Sequence, residues 1–98
     1  MTALYAEFEA KQGSEQAVAE LVQRLTEEVR REEGNVFFLP HRHTDHVARW
    51  FVYELYSDEA AFATHLAQPH TAEFNLAIAP HIVGGVTRLS MLIPPWPE

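Results

Sequence analysis

The chain reads as a small α+β domain running strand, helix, strand, strand, helix, strand, and three observations predict this order. Residues 3–10 and 86–93, near opposite ends of the chain, alternate in the manner of strands. The stretch after Ser14 repeats apolar residues at spacings of three and four, as an amphipathic helix does. Between them, residues 47–56 are apolar on both sides, the mark of a strand that wants cover on two faces.

The elements follow in order. In the first strand Leu4, Ala6, Phe8 and Ala10 share one face and Tyr5, Glu7 and Glu9 the other. Gly13 and Ser14 end it, and Ser14 is placed to cap a helix whose first turn carries Glu15, favourable at the positive end of the helix dipole. Val18, Leu21, Val22, Leu25 and Val29 form one stripe on a helix of about 19 residues, with Gly34 as its expected stop. Val36–Leu39 and Val47–Tyr56 are the next two strands, joined through the polar segment PHRHTDH, where Pro40 suits an edge or a hairpin connection. Along the second of them Phe51, Tyr53 and Leu55 face one way, while Trp50, Val52, Glu54 and Tyr56 face the other.

Ser57, with Asp58 and Glu59 behind it, opens the next helix, which carries Phe62, His65 and Leu66 until Pro69 interrupts it. A second helical piece holds Phe74, Ala77, Ile78 and Ile82 and is punctuated by Pro80. Gly84 and Gly85 release the chain into the last strand, and Pro94, Pro95 and Pro97 end regular structure. This βαββαβ order is the ferredoxin-like arrangement, a four-stranded antiparallel sheet with its helices on one face. The other face is bare, and the doubly apolar third strand suggests covering it with the same face of a second copy, giving a homodimer.

Composition narrows the function. At 98 residues the chain is a single domain, 1–98, and a domain this small buries only roughly 60–65% of its unfolded surface, which favours self-association. A hydrophobic content of 47% against 21% charged places it among globular chains rather than disordered ones. The formal charge of -7, with scattered basic residues, argues against nucleic acid or an anionic membrane as partner. Absence of cysteine excludes disulfides, thiolate metal sites and a thiol nucleophile, and fits a reducing cytoplasm. No secretory leader or membrane span is legible at the N-terminus or beyond, so the expected location is cytoplasmic.

The chemistry concentrates in residues 53–74, YELYSDEAAFATHLAQPHTAEF. Glu54 is a carboxylate inside a buried strand, costly unless a cation or donor meets it, and a nearby imidazole answers that need. Free imidazole titrates near pH 6.5, so His65 beside Glu54 is suited to act as a base. Alternatively the two merely satisfy each other as a buried polar pair. His70, directly after Pro69, either lines a pocket mouth or faces solvent from a helix start. Tyr5, Phe37, Phe38, Phe51, Tyr53, Phe62 and Phe74 are candidate pocket walls or ordinary core. In PHRHTDH, His41 and His43 form an HxH pair with His46 close by; with no third ligand fixed by spacing, a polar loop explains the pattern and no metal site is assigned. There is no GxGxxG, no GxxxxGK[ST] and no CxxCH, so no nucleotide, flavin or c-type haem module is legible.

The 53–74 segment resembles the antibiotic biosynthesis monooxygenase family, in particular its quinol monooxygenase-like branch. A strand with Tyr-Glu-x-Tyr leads into Asp-Glu-Ala-Ala-Phe, then a His, then Gln-Pro-His, here Tyr53 to Tyr56, Asp58 to Phe62, His65 and Gln68 to His70. Phe38, Leu39, Pro40 and His41 stand where the family often shows a Tyr, an acidic residue and a His before its hairpin, and Leu39 and Pro40 depart from that pattern. The resemblance implies a dimeric α+β barrel, a pocket between helices and sheet, and oxidation of a small quinol or polyphenol by molecular oxygen without a cofactor. It implies His65 as base, Glu54 as its orienting partner and His70, Phe51, Tyr53, Phe62 and Phe74 as substrate contacts. The haem-degrading relatives place a His after an Ala on a helix, a pattern missing here, so haem is disfavoured. An isomerase or tautomerase using the same base, and a non-enzymatic ligand-binding dimer, are the competing expectations.

Overall fold

A computed structural model describes residues 1–96. It contains β1 (Thr2–Glu9), α1 (Glu15–Arg30), β2 (Asn35–Arg42), β3 (Arg49–Tyr56), α2 (Glu59–Leu66), α3 (Pro69–Ile78), a 3-10 turn (Ala79–His81) and β4 (Arg88–Leu92). The four strands form one antiparallel sheet in the order β2-β3-β1-β4, which is the expected ferredoxin-like arrangement. Pro97, expected to help end the last strand, lies outside the described residues.

One face of the sheet builds the core. Leu4, Ala6 and Phe8 of β1, Phe38 of β2 and Trp50, Val52 and Tyr56 of β3 are buried on it, with Val18, Val22 and Val29 of α1 and Ile78 and Ile82 also buried. Period-2 strands and a period-3.6 helix thus bring their apolar stripes together. The opposite face carries Phe37, Leu39, Phe51, Tyr53 and Leu55, where Tyr5 stacks on Phe51 with ring centroids 4.9 Å apart. Pro40 is tolerated within β2 because that strand lies at the sheet edge, where a missing N–H costs no ladder bond.

Several boundaries differ from the sequence reading, each for a local reason. The first helix spans 16 residues, not about 19. It ends in a tighter turn, with Arg31 N donating to Glu28 O and Glu32 N donating to Val29 O. Gly34 is therefore no helix stop; it lets α2 come close, since a Cβ there would stand 2.3 Å from the Cβ of Ala61. Ser14 precedes α1 but makes no side-chain cap, its Oγ pairing instead with Nδ1 of His81 at 3.0 Å. Asp58, rather than Ser57, caps α2 by accepting from Ala61 N at 2.7 Å. Pro69 takes the first helical position of α3, where its missing N–H is harmless.

Candidate functional site

The site is assembled where α1 ends, α2 ends and α3 begins. His65 in the last turn of α2 is 6% exposed and Glu54 of β3 is 5% exposed, both on the helix-covered side of the sheet. Their approach is 3.8 Å from His65 Nε2 to Glu54 Oε1, too long for a hydrogen bond. Instead, Glu54 Oε1 accepts from the Tyr56 hydroxyl at 2.7 Å. Burial pushes the Glu54 carboxyl above the ordinary carboxylate range, although Tyr56 and His65 pull the other way. Burial likewise pushes the Tyr56 hydroxyl upward, reinforced by the adjacent Glu54.

The carboxylate that does bind His65 is Glu32, just beyond α1. His65 Nδ1 lies 2.9 Å from Glu32 Oε2, and His70 Nε2 lies 2.6 Å from the same oxygen. A carboxylate oxygen accepts, so both imidazoles donate to it: His65 presents its Nδ1–H to Glu32 and leaves Nε2 directed toward Glu54. The break at Pro69 turns the chain back so that His70, five residues on, converges with His65 on Glu32. Thr71 fixes this corner by donating to the His65 carbonyl at 2.7 Å.

Glu32 was missed because it sits in the charged run EEVRREEG, which looks like a solvated helix end. A signal was present nonetheless. Val18, Val22, Leu25, Val29 and Glu32 continue one stripe at steps of four, three, four and three, so Glu32 occupies the next inward position.

Beside His65 lies a cavity of about 70 Å³ between helices and sheet. Its walls include Phe8, Phe38, Val52, Phe62, Leu66 and Phe74, with Glu54, His65, Thr71, Asn75 and Thr87 as the polar groups. Phe62 and Phe74, two of the expected wall residues, line it. Phe51 and Tyr53 do not: strand alternation turns them onto the open face, opposite Glu54, so they leave the list of cavity contacts. His70 stands outside the cavity and lines a neighbouring surface groove with Leu21, Arg24, Glu28 and Glu73. Among the described residues the His41, His43 and His46 loop does not converge into a three-ligand group, whereas Glu32, His65 and His70 do. No helix of the described residues is long and apolar enough to cross a membrane.

A small antiparallel α+β sheet roofed by helices, holding a buried imidazole at an apolar cavity, defines the class. The sequence profile of the antibiotic biosynthesis monooxygenases matches residues 1–76, and the chain belongs to that family. Solved structures share the fold over nearly the whole length. A Nitrosomonas europaea protein provisionally named an antibiotic biosynthesis monooxygenase is 20% identical with a TM-score of 0.89, over 98% of this chain and 100% of its own. A similarly named Deinococcus radiodurans protein is 15% identical, TM-score 0.88, over 100% and 96%. A Mycobacterium tuberculosis protein is 18% identical, TM-score 0.87, over 95% and 93%. No curated protein sequence matches.

Proposed function

We propose that the protein is a cofactor-independent monooxygenase that oxidises a small quinol or polyphenol with molecular oxygen, working as a homodimer. The observation that carries the reading is His65: a buried imidazole held through Nδ1 by Glu32, with Nε2 turned to the side where the apolar cavity lies. Monooxygenase chemistry fits the family; the substrate class is argued from the cavity. Its volume is roughly five times the ~10–15 Å³ that one water needs, which suits one aromatic ring better than a fused system.

Triplet oxygen reacts slowly with closed-shell molecules, and an electron-rich anion relieves the restriction. His65 Nε2 takes the phenol proton, and the imidazolium is stabilised by Glu32 on its far side. The phenolate passes one electron to oxygen, and superoxide and the aryl radical recombine to a ring-bound peroxide anion, C–OO⁻. The O–O bond then breaks with loss of the ring proton, leaving one oxygen as a new carbonyl and the other as water. His65 returns its proton to the departing oxygen. Hydroquinone plus O2 thereby gives hydroxyquinone plus water, and the substrate supplies all four electrons. Glu54, whose burial favours its neutral form, is placed to donate to developing oxyanion charge. The largely apolar walls limit the access of water to the intermediates.

Oxygen uptake with a panel of hydroquinones in the presence of chelator tests the proposal. The native protein is expected to consume oxygen and place one labelled atom of ¹⁸O2 in product, and His65→Ala to lose at least about a hundredfold in rate. Equal rates for the two proteins would remove His65 from the chemistry. Turnover of a carbonyl substrate that proceeds without oxygen would instead establish an isomerase, which the same base and cavity could serve.

A further inference from the structure

We infer that Glu32, His65 and His70 form a binding site for a borderline divalent metal ion such as Zn²⁺, and that its occupancy switches off His65 as a base. One donor atom from each of the three residues lies within 4.8 Å of the others. Two imidazoles and one carboxylate are a zinc donor set that leaves a fourth position for water. Zinc bonds of ~2.0–2.2 Å set neighbouring donors about 3.3 Å apart. The present separations of 2.6 and 2.9 Å require the side chains to part by less than about 1 Å, as the shared protons leave.

A second, independent feature points the same way. Each imidazole has another carboxylate opposite its ring nitrogen: Glu54 Oε1 stands 3.8 Å from His65 Nε2, and Glu28 Oε2 stands 3.9 Å from His70 Nδ1. Carboxylates behind ligating imidazoles orient the rings and raise their donor strength at metal centres. Three carboxylates therefore surround two imidazoles, and the ion-pair partners that Glu32 finds are those two rings. Burial of Glu32 and His65 side chains at 8% and 7% exposure supplies the low-dielectric setting, while His70 borders the surface groove that offers an access route.

The switch follows from the ring's valence. With Nδ1 on a metal, neutral imidazole carries its one proton on Nε2, so the nitrogen directed toward Glu54 becomes a donor and has no lone pair for a phenol proton. This consequence rests on the functional reading above; the binding itself does not.

The experiment titrates chelator-treated protein with Zn²⁺ by calorimetry and with Co²⁺ by visible absorption. Expected is one ion per chain, with affinity falling at least about tenfold in Glu32→Gln and His70→Ala and unchanged in the surface control His41→Ala/His43→Ala. His70→Cys is a gain-of-signal test, since it places the chain's single thiol at the site and should add a thiolate-to-cobalt charge-transfer band. No binding, binding indifferent to Glu32 and His70, binding lost only in the surface control, or a cobalt-bound His70→Cys protein without that band would each overturn the site. Quinol oxidation should stop as Zn²⁺ fills it, and full turnover by zinc-loaded protein would overturn the switch. Inactivity of the metal-free protein would overturn the monooxygenase reading while leaving the binding result standing.

Discussion

Glu32 and His65 are 33 positions apart in the chain, yet Glu32 Oε2 accepts from His65 Nδ1 at 2.9 Å with both side chains buried. That contact fixes the tautomer and aims Nε2 away from α1. Glu32 does not line the cavity, so it acts as a positioning residue through His65. Glu32→Gln keeps the shape and removes the charge that stabilises an imidazolium. Steady-state oxygen uptake should show kcat reduced by roughly tenfold to a hundredfold with KM little changed. An unaltered kcat, or a loss confined to KM, would contradict the assignment.

Much of the architecture was legible because it rests on periodicity. Alternation in β1 and β3 and the Val18 to Val29 stripe survive in the structure as the buried faces. Details that depend on one residue's neighbours in space were not. Gly34 looks like a helix stop in sequence, but its reason is Ala61 on another helix. Ser14 looks like a cap, but His81 claims its hydroxyl.

In the site, the sequence located Glu54 and His65 on one side of the sheet and Phe62 and Phe74 nearby. It did not reach Glu32, the carboxylate hydrogen-bonded to the ring whose other nitrogen stands 3.8 Å from Glu54, because only three-dimensional convergence brings the end of α1 to α2. Phe51 and Tyr53 illustrate a different error. Their aromatic character suggested a pocket, while the alternation of β3 already put them opposite Glu54, and alternation decides.

Stability should depend on the Glu54 carboxyl with a defined sign. Burial raises its titration above the unfolded value, so the native state holds the proton more tightly than the unfolded chain. The contribution is most favourable below the unfolded carboxylate value and is lost as pH rises through the raised native value. In chelator, Glu54→Gln should therefore melt near the native protein at pH 4 and become the more stable of the two by pH 8, on the order of 1 kcal/mol. Parallel pH profiles for the two proteins would refute this.

Gly34→Ala should destabilise the fold by roughly 1–3 kcal/mol, because the new methyl must displace α2 at Ala61. His65 rides on that helix, so oxygen uptake should fall along with the melting temperature. Introduced into an Ala61→Gly background, where the opposing methyl is gone, the same substitution should cost much less. Additive losses in the double variant would show that the contact is not the cause.

The open face of the sheet supplies the test of self-association. Leu39 stands opposite Tyr53, and Tyr53 opposite Tyr5, so an apolar and aromatic row runs across three strands. Phe37 and Leu39 remain 48% and 36% exposed in the single chain, an area water should not be left to cover. Two copies related by a two-fold axis would bury the row against itself, and a charge placed there would meet its own copy across the axis. Leu39→Glu and Tyr53→Glu should each raise the dimer dissociation constant at least about 30-fold, or ~2 kcal/mol, in sedimentation velocity runs. Thermal stability should then become concentration-dependent in the native protein and less so in the variants. Native protein sedimenting as a monomer at micromolar concentration would overturn the assembly, and variants that remain dimeric would move the interface off this face.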